Sequence, residues 1–206
     1  MTGATYKTMK NEYAKCIVML AGVCILLTAC ASSPNVRYYT LTAPALPAGQ
    51  AASVVSIAVG PATVTDAVDR PQLVVRRSST KVDVLEEDRW VDTPKREIPR
   101  VLAANLSTLL PTVQIAPYPQ QATAAATWQI LLDVQSFDAL PGDAVTVELV
   151  WTLRRQSDGQ RSTWRISQRE PMQGSSPEAI VAAWSKALGH LAEQMATQLK
   201  SAGVAG

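Results

Sequence analysis

The sequence predicts an α+β fold, a mainly antiparallel mixed sheet with two long helices packed on one face. Apolar and polar residues alternate along Trp128–Phe137 and again along Val145–Leu153, which is the period-two pattern of strands with one buried face. Apolar residues recur every three or four positions around residues 94–110 and 177–200. That spacing is typical of helices that bury one face against a core.

Four short strands are expected in the first half of the domain. They combine β-branched, aliphatic and aromatic residues between turn-forming segments, and they are Arg37–Leu41, Val54–Val59, Gln72–Arg77 and Lys81–Leu85. Gly60 and Pro61 are expected to end the second strand. The polar residues 78–80 join the last two strands as a hairpin, and the acidic residues 86–88 are expected to form a loop after it.

The first helix is predicted to begin at Thr93 and Pro94, a capping residue followed by a proline at the first helical position. Its apolar face repeats at helical spacing through Ile98, Leu102, Leu106 and Leu109. Pro99 lies inside this pattern, where it either kinks the helix or marks its true start. Pro111 is expected to end the helix.

The C-terminal half is expected to form a three-stranded meander after a short strand at Val113–Ala116 and a loop at Pro117–Ala126. A turn over Asp138–Asp143 joins the first two long strands, and Asp158-Gly159 is a strong hairpin signal. The third strand, Arg161–Gln168, is expected to turn Trp164 and Ile166 towards the core.

The last helix carries a complete set of start signals. Ser176 is a suitable cap, Pro177 suits the first helical position, and Glu178 places negative charge in the first turn. Its apolar stripe is Ile180, Trp184, Leu188, Leu191, Met195 and Leu199.

The N-terminal segment has the features of a lipoprotein signal. An apolar run, Cys16–Leu27, follows three lysines and ends in Leu27-Thr28-Ala29-Cys30. A run of about 12 residues suits a secretory signal and is too short to span a bilayer. Leu-Thr-Ala-Cys resembles the bacterial lipobox, in which the cysteine is acylated and becomes the mature N-terminus. The alternatives are an uncleaved anchor or an ordinary signal peptide with a chance cysteine.

The expected organisation follows from this signal. Residues 1–29 form a cleaved signal peptide, residues 30–36 an acylated N-terminus and tether, residues 37–200 a single periplasmic domain, and residues 201–206 a tail. The covalent lipid on Cys30, such as palmitate, is the only bound group expected. Because Ala31 and not Asp follows the cysteine, we expect a lipid anchor in the outer membrane of a Gram-negative bacterium, facing the periplasm.

Composition argues against several classes of function. The leader holds three of the 19 basic and one of the 17 acidic residues, which leaves 16 of each, so nothing indicates nucleic-acid binding. No cysteine follows Cys30, so the domain has no internal disulfide. The sequence has no nucleophile motif, no phosphate-binding loop and no Cys/His zinc pattern around His190, its only histidine. We therefore expect no enzyme activity and no metal site.

Four motifs occur in order behind the lipobox. They are Tyr38-Tyr39-Thr40-Leu41, Asp69-Arg70-Pro71-Gln72-Leu73-Val74, Glu87-Asp88-Arg89-Trp90 and Arg100-Val101-Leu102-Ala103-Ala104-Asn105-Leu106-Ser107. In this order and spacing the chain resembles the PqiC/YmbA family of ABC-type transport auxiliary lipoproteins.

The resemblance implies a function without catalysis. Such proteins are outer-membrane partners of MCE-type lipid transporters, in which an inner-membrane permease and ATPase feed a periplasmic MCE tube. The lipoprotein meets the far end of that tube, and PqiC-type members form rings. We therefore expect a homo-oligomer that docks on a periplasmic MCE-domain protein. The resemblance brings no catalytic residue with it.

Two segments are candidates for the partner interface. Asp69, Arg70 and Pro71 would form a docking loop. The alternative is that Asp69 pairs with Arg70 or caps a turn and that Pro71 only starts a strand. Arg89 and Trp90 are residue types enriched at interface hot spots. The alternative is that Trp90 covers the edge of the core and Arg89 is solvated.

A third candidate is a basic face. Arg161, Arg165 and Arg169 share one face of a strand by their spacing and would contact an acidic partner or anionic headgroups. The alternative is an ordinary solvated face.

Two other functions remain open. One is a structural or assembly lipoprotein of another envelope-spanning complex, and the other is a periplasmic module that itself carries a lipid. Neighbouring permease, ATPase and MCE genes would favour lipid transport over the first, and lipid extraction would test the second.

Overall fold

The computed structural model describes residue 19, residues 35–45 and residues 55–204. Apart from Met19, the predicted signal peptide lies outside the described residues, and so does Cys30. One folded unit extends from Val36 to Gly206. Its elements, in chain order, are β1 Arg37–Tyr39, β2 Ser56–Thr63, β3 Gln72–Arg76, β4 Val82–Trp90, α1 Pro94–Leu109, β5 Gln114–Pro117, a 3₁₀ turn at Gln121–Thr123, β6 Trp128–Leu140, β7 Ala144–Arg155, β8 Arg161–Pro171 and α2 Pro177–Ser201.

The predicted α+β class is confirmed, with the strands divided between two mixed sheets. The five-stranded sheet has the order β5-β2-β6-β7-β8, and the three-stranded sheet has the order β1-β4-β3. In the larger sheet β2 pairs in parallel with both β5 and β6, whereas β6, β7 and β8 form the predicted antiparallel meander. In the smaller sheet β1 is parallel and β3 antiparallel to β4.

The alternation of apolar and polar residues along β7 places its apolar side chains at the centre of the core. The predicted inward residues are at most 2% exposed, and they are Val145, Val147, Leu149, Trp151 and Leu153. Trp151 is opposite Trp164 on β8, and the two rings stack at 4.4 Å. Because cross-strand partners share a face, the prediction that Trp164 and Ile166 turn inward is confirmed.

Both helices pack against the five-stranded sheet and against each other. Helix α1 lies on β2 and β5, and α2 lies on β7 and β8. The hydroxyl of Ser176 accepts a hydrogen bond from the N–H of Ala179 at 3.3 Å, so the predicted cap of α2 is present. Trp184 on α2 stacks on Phe137 at 4.5 Å and lies 5.6 Å from Trp90, which links α2 to both sheets.

Several predicted boundaries are wrong. Strand β2 continues through Gly60-Pro61 to Thr63, with a register shift against β6 between Val59 and Ala62. The acidic residues 86–88 lie inside β4 and not in a loop, since β4 extends to Trp90. The strand β6 continues to Leu140, so the turn shortens to residues 141–143.

Helix α1 begins at Pro94, the first of the two predicted starts, and continues through Pro99. Pro99 packs against the β2 irregularity: a Cβ placed on Gly60 would lie 3.5 Å from the Pro99 Cβ. Gly60 has φ +114°, a conformation that favours glycine. The proline inside the helix and the glycine inside the strand therefore belong to one contact.

Candidate docking surface

The loop Asp69–Pro71 lies between β2 and β3 and holds the start of α1. The Asp69 carboxylate accepts a hydrogen bond from the N–H of Lys95 at 3.2 Å, whereas Thr93 makes no side-chain capping bond. A carboxylate at this position satisfies one free N–H and complements the positive end of the helix dipole. Arg70 is half-buried, and its Nε has no hydrogen-bond partner among the described residues.

The two segments predicted as interface candidates lie side by side. The Pro71 carbonyl accepts a hydrogen bond from the N–H of Trp90 at 2.7 Å, and Gln72 pairs with Arg89 across the sheet. Arg89 is half-buried, and its Nε donates to the Glu86 carbonyl at 3.0 Å. Separate stretches of sequence thus meet through their main chains at the molecular surface.

Trp90 occupies the core and not that surface. It is 5% exposed and packs with Phe137 and Trp184 at ring distances of 6.4 and 5.6 Å. Its indole therefore offers no surface to a partner, and of the two residues only Arg89 remains accessible.

A buried carboxylate fixes the start of α1 to the segment after β1. Glu97 is 4% exposed and accepts hydrogen bonds from the Thr40 hydroxyl at 2.7 Å, the Leu41 N–H at 2.9 Å and Arg100 at 2.8 Å. Arg100 also donates to the Leu41 carbonyl at 2.7 Å. Burial raises the pKa of Glu97, but the bonds from Arg100, Thr40 and Leu41 outweigh it and hold the pKa below its ordinary value.

A second buried carboxylate fixes β1 itself. Asp88 is 5% exposed and accepts hydrogen bonds from Arg37 Nε and Nη2 at 2.7 and 2.8 Å, a bidentate ion pair. The Tyr39 hydroxyl lies 2.9 Å from Asp88 and 3.0 Å from Glu178 at the start of α2. Burial raises the pKa of the Tyr39 hydroxyl, and its hydrogen bonds to both carboxylates raise it further.

A groove of about 490 Å³ opens beside the Asp69–Pro71 loop. We call it the proline groove, because four prolines line it together with Tyr118, which is 46% exposed. Cationic side chains from the first turns of α1 form its other wall. Its lining residues are Pro61, Ala62, Asp92, Thr93, Lys95, Arg96, Pro99, Arg100, Pro117, Tyr118, Pro119 and Gln120.

The groove was not predicted from the sequence. Its walls come from β2, α1 and the segment after β5, and their approach depends on the contact between Gly60 and Pro99. The available signal was the run Pro117-Tyr118-Pro119, in which an aromatic residue lies between two prolines in a predicted loop.

The basic face is exposed but largely neutralised. Arg165 pairs with Glu148 on β7, and Arg169 pairs with Asp143 at 2.6 Å. Arg161 is exposed and has no ion-pair partner in the described part of the chain. These pairs favour the alternative of a solvated face over a binding surface.

His190 lies beside a buried carboxylate that forms an ion pair with Lys186. Its Nδ1 lies 3.0 Å from Glu170, a side chain 5% exposed, and Lys186 Nζ lies 2.5 Å from the same carboxylate. Burial raises the pKa of Glu170, and the hydrogen bond and charge of Lys186 outweigh it, so the pKa is lowered. Within residues 35–45 and 55–204, no group of three or more His, Cys, Asp or Glu residues has a geometry that would hold a metal ion.

No helix in the described ranges is both long enough and apolar enough to cross a membrane. Cys30, the predicted lipidation site, lies outside these ranges, so the structure gives no geometry for it. The candidate sites in the described residues are therefore exposed surfaces of the folded unit.

Two solved structures share this fold. A crystal structure of an uncharacterised protein matches with a TM-score of 0.68 and 18% identity, over 80% of this chain and 99% of that one. The crystal structure of protein XCC0632 from Xanthomonas campestris matches with a TM-score of 0.62 and 17% identity, over the same shares of the two chains. At these identities the likeness shows the fold alone. No curated protein matches the chain.

The family comparison covers nearly the whole folded unit. Residues 39–196, from the end of β1 to the last turns of α2, match the model of a family described as ABC-type transport auxiliary lipoprotein component. This confirms the family that the four motifs indicated. The chain therefore belongs to the ABC-type transport auxiliary lipoprotein family.

Proposed function

We propose that this protein is a non-enzymatic outer-membrane lipoprotein that serves an MCE-type ABC lipid transport system. It would be anchored through acylated Cys30, face the periplasm, form a homo-oligomer and dock on the periplasmic MCE protein. The observation that carries the proposal is the family match over residues 39–196, directly behind a lipobox.

The physics of lipid transfer gives such an anchor a purpose. Exposing an acyl chain to the aqueous periplasm costs about 0.8 kcal/mol per CH₂ group, so lipid transport between membranes needs a shielded path. One end of that path must be held at the receiving or donating membrane. A folded unit on a short acylated tether holds it without catalysis.

We assign the partner contact to the proline groove and the adjoining Asp69–Pro71 loop. Tyr118 supplies an exposed aromatic ring, a residue type enriched at interfaces. Lys95 is exposed and, among the described residues, has no ion-pair partner. The capping bond between Asp69 and the Lys95 N–H holds the loop against the groove wall, so a partner would meet a preformed surface.

Co-purification from native membranes tests the proposal. The full-length acylated protein, carrying a C-terminal tag, is cross-linked in cells and isolated, and the bound proteins are identified by mass spectrometry. We expect the MCE protein with the wild type and a loss of at least tenfold with the double variant Lys95→Glu/Tyr118→Ser. The matched control is Lys81→Glu/Val82→Ser, which alters an exposed lysine and an exposed apolar residue away from the groove.

Other outcomes would contradict the proposal in distinct ways. Recovery of a different envelope complex supports the structural or assembly alternative. A stoichiometric lipid extracted from the purified protein supports the carrier alternative. Equal loss of the MCE protein in both double variants would remove the assignment of the groove.

A further inference from the structure

We propose that one side of the folded unit rests on the phospholipid bilayer that holds the acyl anchor. The contact surface is the edge patch, which consists of Tyr38, Arg89 and Val91. This inference rests on the proposed function only for the acylation of Cys30. It adds the orientation of the unit on the membrane and the residues that enter the headgroup region.

The edge patch exposes apolar side chains that the core has not used. Tyr38 and Val91 are 64% and 67% exposed, the two highest values among the large apolar residues of the folded unit that the structure describes. They lie at the same end of the β1–β4 pair: Tyr38 pairs with Arg89, and the Val91 N–H donates to the Tyr39 carbonyl at 2.8 Å.

Chain length limits which side can meet the membrane. Six residues lie between Cys30 and Arg37, the first residue of β1, and the seven residue-to-residue steps reach at most about 24 Å when extended. A folded unit of this size has a radius of gyration of about 15 Å and hence a diameter of about 40 Å. The tether is therefore shorter than the unit is wide, and only the side that carries β1 can lie on the bilayer.

Several hydrogen bonds to charged groups hold β1 against its neighbours, so the patch has a defined position on the folded unit. The bidentate pair of Arg37 with Asp88 and the hydrogen bonds of Tyr39 to Asp88 and Glu178 join β1 to both β4 and α2. A tether that leaves from such a strand holds the adjoining surface within reach of the bilayer.

The chemistry of the patch suits a headgroup region. Tyrosine is enriched at membrane interfaces, where its ring meets apolar matter and its hydroxyl meets water. Arg89 has no ion-pair partner in the part of the chain that the structure describes, and a guanidinium binds phosphate through paired hydrogen bonds. Glu86 and Glu87 lie close by on β4, so the expected ligand is the phosphodiester common to all glycerophospholipids and not a net negative surface.

A single fluorescent label tests the orientation. The three cysteines are Cys16, Cys24 and Cys30, so a mature acylated Val91→Cys variant carries one free thiol. The variant is labelled with an environment-sensitive dye and placed in vesicles of phosphatidylethanolamine and phosphatidylglycerol that contain a spin-labelled lipid quencher. We expect a blue shift and at least twofold quenching.

The matched control is Val82→Cys, which lies at the other end of the same strand. Val82 is 49% exposed, and the nine residue-to-residue steps from Val82 to Val91 span about 30 Å in extended strand. We expect no quenching there. A Tyr38→Cys variant is a second reporter and should be quenched like Val91→Cys, which guards against a local folding defect at either position.

Two results would overturn the inference: no quenching at positions 38 and 91, or equal quenching at positions 82 and 91. Each labelled protein is also checked by intact mass and by co-purification with the MCE protein. An acylated protein that binds the MCE protein but leaves position 91 unquenched contradicts this inference alone. A protein without an acyl group contradicts the anchoring on which both proposals depend.

Discussion

The two sheets achieve their stability by different means. In the five-stranded sheet the inner face of β7 is apolar throughout and at most 2% exposed. In the three-stranded sheet the buried face carries the carboxylate of Asp88, and the segment after β1 covers the carboxylate of Glu97. The inner face of β7 thus depends on excluding water from apolar side chains. The smaller sheet also buries apolar residues (Leu73, Val75 and Trp90) and adds ion-paired carboxylates to them.

This difference predicts how the stability of the protein responds to pH and to mutation. Apolar burial depends little on pH, whereas a buried carboxylate stabilises the fold only while its partners are present and its charge is kept. Glu170, at the end of β8, is the exception in the larger sheet, and it too is paired, with Lys186. Mutations and pH should therefore affect the two sheets differently.

The largest loss of stability is expected from a mutation in the larger sheet. Leu149→Ala removes a side chain with 0% exposure from the centre of β7 and should lower the free energy of unfolding by about 3 kcal/mol, through lost burial and a residual cavity. Urea unfolding followed by Trp fluorescence measures the change. Val82→Ala, at a position 49% exposed, is the control and should cost less than about 0.5 kcal/mol. Similar losses in both would contradict the assignment of the core.

A smaller loss is expected at the buried charge. Glu97→Gln keeps the size of the side chain but removes the charge that accepts hydrogen bonds from Arg100, Thr40 and Leu41. We expect a loss of about 2 kcal/mol, typical of hydrogen bonds to a charged group. Glu193→Gln, on the surface of α2, is the control. If both variants unfold at the same urea concentration as the wild type, the Glu97 network has no role in stability.

Glu97, together with Glu170, should make the stability of the wild type sensitive to acid. The pKa values of Glu97 and Glu170 are lowered in the folded state, so the unfolded chain takes up protons first. Their contribution is complete above the unfolded pKa of about 4.3 and is lost as the pH falls through the folded values. Urea midpoints at pH 7, 5, 4 and 3 should fall at the acidic end, and more steeply for Leu149→Ala than for Glu97→Gln. A flat profile in all three proteins would contradict this.

Loss of the cap at the start of α1 should lower the stability less than loss of the Glu97 charge. Asp69→Ala removes the hydrogen bond to the Lys95 N–H at the start of α1 and should cost about 1 kcal/mol. Asp66→Ala, an exposed residue in the same turn, should be neutral. Thermal unfolding of the two variants in parallel measures the difference, and a larger shift for Asp66→Ala would remove the capping role.

The smallest effect is expected at the outer face of β8. Reversing Arg161, Arg165 and Arg169 to Glu replaces exposed pairs that contribute little, and we expect vesicle binding and MCE co-purification to change less than twofold. A tenfold loss of either would show that the basic face is a binding surface after all.

The sheets also differ in how far they could be predicted. Alternation and a complete cap are enough to predict that β6, β7, β8 and α2 exist, because those signals lie in consecutive residues. The end of β4 resembled a loop because Asp88 is polar, and its partners Arg37 and Tyr39 lie 51 and 49 residues away. The proline groove could not be predicted for the same reason, since it forms where segments distant in sequence meet near Gly60.

The attachment of β1 has a mechanical consequence. The three residues of β1, parallel to β4 and held by the Arg37–Asp88 pair, lie at the start of the folded unit, directly after the proposed tether. A pull directed along β1 would load the strand hydrogen bonds and the ion pair together, in shear, and would not open them one after another. Under the proposed anchoring, this short strand would carry the load whenever thermal undulation of the bilayer pulls on a folded unit that is bound to its partner.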